Sequence, residues 1–332
     1  MIVSGTAGFL TAALGGGLSG FFVLPAMRKI KTGVSSKFLP DRKKLKENVR
    51  STGAAITALT GFLVGLLVAA AVSMLSGESG GIALFVPCAV LCIALTACGF
   101  IDDYLTDLKG FSVGLKTPLR ILFTAFSGLL FSFLYLLMGG DSLVAIPFLK
   151  GAIRTGAFFC PIMTAATAVF CEGMRLSGNG EGTDSVQGFA SLVFLVAASA
   201  VSGNSTAFIF SLTASGAVFG LLGWSFPPPL MKSGTSGKYL VSGILISSCM
   251  LSAQKGNLFF VFALPVLMLL AFPADRAVYK LTGKHIFLKL PADEHLKLCG
   301  FSEKKTLIFY FGAAALFSAL CLVSEIFKNY YL

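Results

Sequence analysis

At residues 98–120 the chain reads CGFIDDYLTDLKGFSVGLKTPLR, in which an apolar run long enough to cross a bilayer ends in two adjacent carboxylates, Asp102 and Asp103. Acids beside hydrocarbon are unfavourable unless a cation offsets them. A divalent metal, or a phosphate-bearing substrate with its metal, provides such an offset. The alternative is that the pair only marks where a helix meets water, as charge clusters usually do. The stretch therefore predicts a membrane helix that ends either in a reaction centre or simply at the surface.

The composition is that of an integral membrane protein. Of the 332 residues 55% are hydrophobic and only 12% are charged, and the mean hydropathy is +0.85. Soluble domains carry roughly a quarter charged residues. We predict an all-α membrane protein of about ten transmembrane helices, forming one polytopic domain over residues 1–332. The predicted spans lie near residues 2–27, 53–75, 82–101, 119–138, 156–171, 188–203, 207–224, 239–253, 257–273 and 307–327.

The basic residues are distributed by side of the membrane. The net charge is +11, and with ten spans all but four of the 26 lysines and arginines fall on one side or at its edges. The exceptions are Lys150, Arg154, Lys255 and Lys328. The positive-inside rule then places the basic loops in the cytoplasm and both termini outside. The positive charge thus reflects topology, with attraction to anionic lipid as a second effect, and we do not expect nucleic-acid binding.

The polar residues gather in five predicted cytoplasmic loops. This asymmetry predicts a functional surface that meets a soluble partner on one side and lipid on the other. A transporter or channel is the less favoured alternative, because transporters usually place polar residues at mid-span and repeat one half in the other. The sequence has no clear internal repeat and few charges within the spans. The loops comprise residues 28–52, 102–118, 172–187, 225–238 and 274–306.

Three loop segments resemble the phospho-N-acetylmuramoyl-pentapeptide transferase (MraY) family of polyprenyl-phosphate sugar-phosphate transferases. The segment GKHIFLKLPADEHLKLCGFSE (283–303) is similar to the family's GKRIFKMAPxHHHFELxGWSE loop. The segment GAVFGLLGWSFPPPLMKSGTSGKYLVSG (216–243) is similar to G-A-x-x-G-F-L…N-x-x-P-A…G-D-x-G-S…G, and GFIDDYL (99–105) matches the family as it stands. Because all three occur in the family's order between the expected helices, the chain is identified as a diverged member.

The resemblance implies a reaction and its partners. In the family, undecaprenyl phosphate attacks the β-phosphate of a cytosolic UDP-MurNAc-pentapeptide, giving lipid I and UMP at the bacterial cytoplasmic membrane. Magnesium gathers and neutralises the diphosphate. Asp102 and Asp103 align with the family's paired aspartates, so they are the expected catalytic residues and Mg²⁺ ligands. The implied partners are a polyprenyl phosphate, a nucleotide sugar and a second copy of the chain in a homodimer.

The third loop departs from the family's N-L-T-D-G-x-D-G pattern, whose two aspartates serve the metal and the nucleotide. In the ungapped register, which we prefer, residues 175–182 align with it, so Gly178 replaces the first aspartate and Glu181 the second. A shifted register aligns Asp184 with the first aspartate and Gln187 with the second. Both registers lose one acid. A solvated, glycine-rich turn is the alternative interpretation of this loop.

The fourth and fifth loops have lost further polar groups of the family. Thr235 aligns with the metal-binding aspartate of G-D-x-G-S, and Ser225 aligns with an asparagine near the nucleotide. A neutral hydroxyl is a far weaker magnesium ligand than a carboxylate. The family's triple histidine becomes Asp293, Glu294 and His295, so two positions now carry acids that repel phosphate.

Other positions give weaker signals. Lys232 and Lys238 are suited to contact phosphates, although topology explains lysines at a cytoplasmic helix end equally well. In the first loop VRSTGAA (49–55) is the nearest match to the family's G-T-P-T-M-G-G, without its proline or double glycine. The candidate substrate-binding residues are Glu181, Ser225, Lys232, Thr235 and His295.

Two functional hypotheses follow. We slightly favour a non-catalytic relative in cell-wall (peptidoglycan) lipid-intermediate synthesis, because the acid at position 235 is lost. The alternative is an active, diverged transferase that uses a different nucleotide sugar. The two differ in whether a substitute carboxylate approaches Asp102 and Asp103, and the candidates are Asp184, Asp293 and Glu294.

Overall fold

The computed structural model describes residues 1–29, 52–77, 80–108, 114–148, 151–253 and 255–331. These residues form helices throughout, apart from one small antiparallel hairpin of β1 (Leu143–Ala145) and β2 (Ala152–Arg154). The helices are α1 (Ile2–Lys29), α2 (Ala54–Leu75), α3 (Phe85–Leu108), α4 (Thr117–Leu137), α5 (Phe159–Ser177), α6 (Thr183–Val201), α7 (Ser205–Ser225), α8 (Gly234–Leu251), α9 (Leu258–Val261), α10 (Ala263–Thr282), α11 (Ala292–Leu298) and α12 (Glu303–Tyr331). The predicted all-α membrane fold is confirmed.

Within the described ranges, eight helices are long and apolar enough to cross a membrane. A ninth span is added if α9 and α10, which meet at a bend of 54°, count as one. The predicted span near 239–253 does form a helix, α8, but α8 is not among these candidates. Its serines and Lys238 make α8 less apolar than the other spans. The surrounding helices cover these polar residues, because α8 is buried along nearly its whole length.

The helix α8 lies in the middle of the bundle. It packs against α2, α3, α5, α6 and α7. Around this centre, α1 packs on α2 and α7, α4 on α3 and α5, α10 on α5, and α12 on α6. A helix surrounded by protein rather than lipid tolerates polar side chains if neighbouring helices supply their hydrogen-bond partners. The polar N-terminus of α8 is therefore placed where other elements can reach it.

Small residues allow the closest helix contacts. A Cβ atom added at Gly61 of α2 would lie 2.8 Å from the Cα atom of Gly16 in α1 and would also overlap the carbonyl oxygen of Ala12. Helices in lipid associate largely through such close packing of small side chains. The glycine- and alanine-rich spans thus form the tight α1–α2 pair.

The loops that carry the polar motifs meet at one end of the bundle. There the backbone of Thr52 bridges that of Lys232, and the carbonyl oxygen of Lys232 accepts hydrogen bonds from the amides of Gly53 and Ala54 at 3.4 Å. The stretch VRSTGAA thus touches the fourth loop through Thr52, Gly53 and Ala54, while its first three residues lie outside the described ranges. At the other end, the Lys255 ammonium donates to the Leu143 carbonyl of the hairpin at 3.0 Å. That the polar end faces the cytoplasm stays a prediction.

Substituting Gly61 by alanine tests the α1–α2 contact. We expect Gly61→Ala to destabilise the protein by about 1–3 kcal/mol, because the new methyl group meets backbone atoms that cannot rotate away. The matched control is Gly17→Ala on α1, where an added Cβ has no described neighbour within 4 Å. Equilibrium unfolding in mixed detergent–SDS micelles measures both. Equal stability of the two variants would contradict the packing described.

Candidate functional site

The N-terminal turn of α8 is bound by a carboxylate from α3. The Asp103 carboxylate accepts hydrogen bonds from the amide of Thr235 at 2.8 Å, and from the amide and hydroxyl of Ser236 at 2.9 and 2.7 Å. The first amides of a helix have no partner within it and carry partial positive charge, so an anion there is favourable. Asp103 therefore caps a helix that is distant in sequence.

Two glycines make this contact possible. Gly99 precedes Asp103 by one turn on the same face of α3, and an added Cβ there would lie 2.5 Å from the Cα atom of Ser236. Gly234 has a φ of +66°, which favours glycine, and a Cβ there would overlap the Asp103 carboxylate. The motifs GFIDDYL and GTSGK are thus fitted to each other.

Two further acids reach the same turn from the third loop. Glu181 interacts electrostatically with the backbone of Ser233, and the buried Asp184 carboxylate accepts a hydrogen bond from the Ser233 hydroxyl. Burial raises the pKa of the Glu181 carboxyl above its ordinary value, although the charge of Lys232 opposes the shift. The third loop thus brings both Glu181 and Asp184, the acids retained in the two alternative alignments, to the start of α8.

Asp102 turns to a different set of partners. Its carboxylate accepts a hydrogen bond from the amide of Leu115 at 2.7 Å and lies 3.8 Å from a guanidinium nitrogen of Arg120. Adjacent helical residues point about 100° apart, which follows from 3.6 residues per turn. Asp102 therefore fixes the α3–α4 connection, whereas Asp103 fixes α8.

Glu172 is the centre of a buried ionic network that the sequence analysis missed. It accepts hydrogen bonds from Arg120 at 2.7 and 3.1 Å, from Arg175 at 3.0 Å and from the Tyr239 hydroxyl at 2.8 Å. The network joins α4, α5 and α8 beside Asp102. Its signal in the sequence was an acid directly after a predicted span, three residues before Arg175. A two-pronged arginine–carboxylate pair of this kind fixes orientation as well as charge.

Lys238 extends from the first turn of α8 to the end of α5. Its ammonium donates to the carbonyl oxygens of Gly178 at 2.6 Å and Arg175 at 3.2 Å. It also lies within electrostatic reach of Asp103, Asp184 and Asp293. The site therefore includes a cation that interacts with acids from α3, α6 and α11.

The fifth loop contributes the acid Asp293 to this cluster, and its Glu294 also contacts the third loop. Asp293 is 0% exposed and accepts a hydrogen bond from the Asn179 amide at 3.1 Å. Glu294 contacts the Asn179 side chain at 3.1 Å and Lys289 at 2.6 Å, and Lys289 lowers the pKa of Glu294. His295 accepts a hydrogen bond from the Leu288 amide at 3.2 Å, and it also contacts Cys299 and Phe287 of its own loop.

The other candidates lie around the turn without a common focus. The Ser225 hydroxyl is buried, lies 3.0 Å from that of Ser185 and donates to the Leu221 carbonyl. Thr235 is half-buried and donates its amide to Asp103. Lys232 faces Glu181 electrostatically. Substrate roles for these residues stay predictions.

Known proteins resemble this chain along most of its length. The phospho-N-acetylmuramoyl-pentapeptide-transferase of Clostridioides difficile (strain 630) is 25% identical over 298 residues, which cover 86% of this chain and 87% of the relative. Enzymes of the same name from Clostridium botulinum (strain Eklund 17B / Type B) and Staphylococcus aureus (strain bovine RF122 / ET3-1) are each 24% identical, covering 91% and 90% of this chain and 90% and 92% of the relatives. The chain is thus similar to the MraY family at about a quarter identity along most of its length, as a diverged relative would be. No protein-family model matches it.

The family and the helices together define its location. The relatives are bacterial, and at least eight described helices can cross a membrane. This MraY relative is therefore a multi-pass protein of the bacterial plasma membrane.

The donor set at the paired aspartates does not fit a resident magnesium ion. Magnesium takes six oxygen ligands in near-ideal octahedral geometry and relies on carboxylates. Among the described residues, no group of three or more histidine, cysteine, aspartate or glutamate side chains is arranged to hold a metal. Asp102 and Asp103 instead bind the Leu115 amide and the α8 turn, and Thr235 contributes an amide rather than a carboxylate.

Titration of Glu181 provides a test of the third loop. Because its pKa is raised in the folded protein, the folded state holds this proton more tightly than the unfolded chain does. Stability should then fall as the pH rises from the ordinary value of 4.5 through the raised value. We expect Glu181→Gln to be at least as thermostable as the wild type at neutral pH, with the difference shrinking toward pH 4.5. A Glu181→Gln protein that is much less stable at neutral pH would contradict this assignment.

Proposed function

We propose that this chain is a non-catalytic relative of the MraY transferases. In this proposal it binds a polyprenyl phosphate and a nucleotide sugar at the polar end of the bundle, in peptidoglycan lipid-intermediate synthesis, without transferring the sugar phosphate. The family membership and the membrane fold support the ligand classes. The changes at the start of α8 support the loss of transfer.

The capping of α8 by Asp103 is the observation that carries the proposal. In a magnesium-dependent phosphoryl transfer the acids must be available to a metal that bridges the phosphate oxygens. Here the Asp103 carboxylate accepts three hydrogen bonds from Thr235 and Ser236. The residue aligned with the family's metal-binding aspartate, Thr235, is itself one of the donors. The acid therefore acts as a helix cap in this chain.

An active transferase that uses another nucleotide sugar is the second candidate, and the position of Asp184 favours it. Asp184 and Asp103 contact the same turn of α8, through Ser233 and Ser236 respectively. A replacement carboxylate has thus been brought to the correct region. Against this, Asp184 is buried and bonded to Ser233, and Lys238 stands beside it.

Release of UMP distinguishes the two candidates. Purified protein in detergent would be incubated with undecaprenyl phosphate, magnesium and UDP-MurNAc-pentapeptide, and then with a panel of other UDP-sugars. The C. difficile relative runs alongside as the active control. We expect no release above background from this chain, because no third acid among the described residues joins Asp102 or Asp103 in an arrangement that could hold a metal.

The matched variant is the Asp102→Asn/Asp103→Asn double substitution. Release by the wild type that disappears in this variant would overturn the non-catalytic proposal. The binding half is tested by comparing undecaprenyl phosphate with undecaprenol, which lacks the charged group. Saturable binding of the phosphate alone is expected, and equal binding of both lipids would refute a phosphate site.

A further inference from the structure

Two changes in one helical turn alter the charge of the site in the same direction. In the G-D-x-G-S pattern, the family's aspartate aligns with Thr235 and its serine with Lys238. The first change removes a negative charge and the second adds a positive charge, three residues along the same face of α8. Together they amount to two positive units, which is the charge of one divalent cation.

The surroundings of Lys238 resemble those of a bound cation. Its ammonium donates to two carbonyl oxygens at the C-terminal end of α5, those of Gly178 and Arg175. Helix C-termini expose carbonyl groups and favour positive charge. The carboxylates of Asp103, Asp184 and Asp293 are also within electrostatic reach. The ammonium is thus bonded to the end of α5 and interacts electrostatically with acids on α3, α6 and α11.

The other cations nearby have partners of their own. Arg175 is a basic neighbour that opposes Lys238 electrostatically, and its guanidinium is bonded to Glu172 at 3.0 Å. Lys232 faces Glu181. If Lys238 lost its charge, the carboxylates of Asp184 and Asp293 would remain buried without that positive charge. Removing one partner of a buried ionic set is strongly destabilising.

We infer that Lys238 is the resident cation of this site and neutralises acids that a divalent metal neutralises in a metal-dependent site. The inference deepens the proposed function and rests on it for treating the site as metal-free. A lysine ammonium is a single point charge on a tether, so it does not bridge two phosphate oxygens as a divalent ion does. The substitution therefore preserves the structure of the site while removing its Lewis acid.

Thermal unfolding in the presence and absence of magnesium tests the inference. The proteins compared are the wild type, Lys238→Met, Lys238→Arg and Thr235→Asp/Lys238→Ser, in EDTA or in excess magnesium at constant ionic strength. We expect the Tm of the wild type to be the same in both. Lys238→Met should lower the Tm by about 5 °C or more, and Lys238→Arg should recover most of that loss. The double variant should gain a magnesium-dependent rise in Tm.

The control is Lys280→Met, because Lys280 is an exposed lysine at the end of α10. It should leave the Tm unchanged. A wild-type Tm that rises with magnesium, or a Lys238→Met protein as stable as the control, would overturn the inference. If Lys238→Met does not fold, the wild type and the double variant still decide it. The Tm measurement requires no catalytic turnover. The prediction of metal independence and the prediction of no UMP release are therefore tested separately.

Discussion

The N-terminal turn of α8 is held in place by carboxylates from other helices, and the arrangement of the polar end depends on this contact. Asp103 binds the amides of Thr235 and Ser236, Asp184 binds the Ser233 hydroxyl, and Glu181 interacts electrostatically with the Ser233 backbone. The first backbone amides of α8 have no partner within the helix. Because α8 lies in the middle of the bundle, these amides need partners from the rest of the protein. The acids of α3 and of the third loop supply them, and in doing so they join the GFIDDYL and GTSGK segments.

In the proposed function, the same contact accounts for how an MraY-like scaffold persists without a metal site. In the family pattern, acids at these positions face a metal, so losing one acid leaves a charged cluster without its cation. In this chain Lys238 lies beside that cluster and bonds to the end of α5. In this proposal the ammonium charge offsets carboxylates that are unfavourable in a buried site when uncompensated. The balance of charges within the protein then favours retention of the fold.

Much of the fold could be predicted from the sequence, since long apolar runs determine where helices form in a membrane. The exception is α8, whose serines and lysine make it less apolar than the other helices. These polar residues are tolerated because protein rather than lipid surrounds the helix. The importance of Asp103 was predictable from its motif, but its partner was not. Asp103 and Ser236 are 133 residues apart, and no local pattern encodes that distance.

The details of the site were the least predictable part. The sequence offered Glu181 and Asp184 as alternatives, whereas the folded loop brings both to Ser233. The Arg120–Glu172 pair joins residues 52 positions apart and gave only a weak signal at a span boundary. His295 was selected from a family motif, yet the contacts described for it are with its own loop. Side-chain partners between loops depend on how the helices pack, which the sequence pattern does not specify.

The most direct measurement of the central claim is anomalous diffraction from crystals of this protein grown with manganese, which substitutes for magnesium at oxygen sites. The account predicts no anomalous peak at the α8 turn, with the Lys238 ammonium on the carbonyl oxygens of Gly178 and Arg175. A manganese peak within bonding distance of Asp102, Asp103 or Asp184 would contradict it.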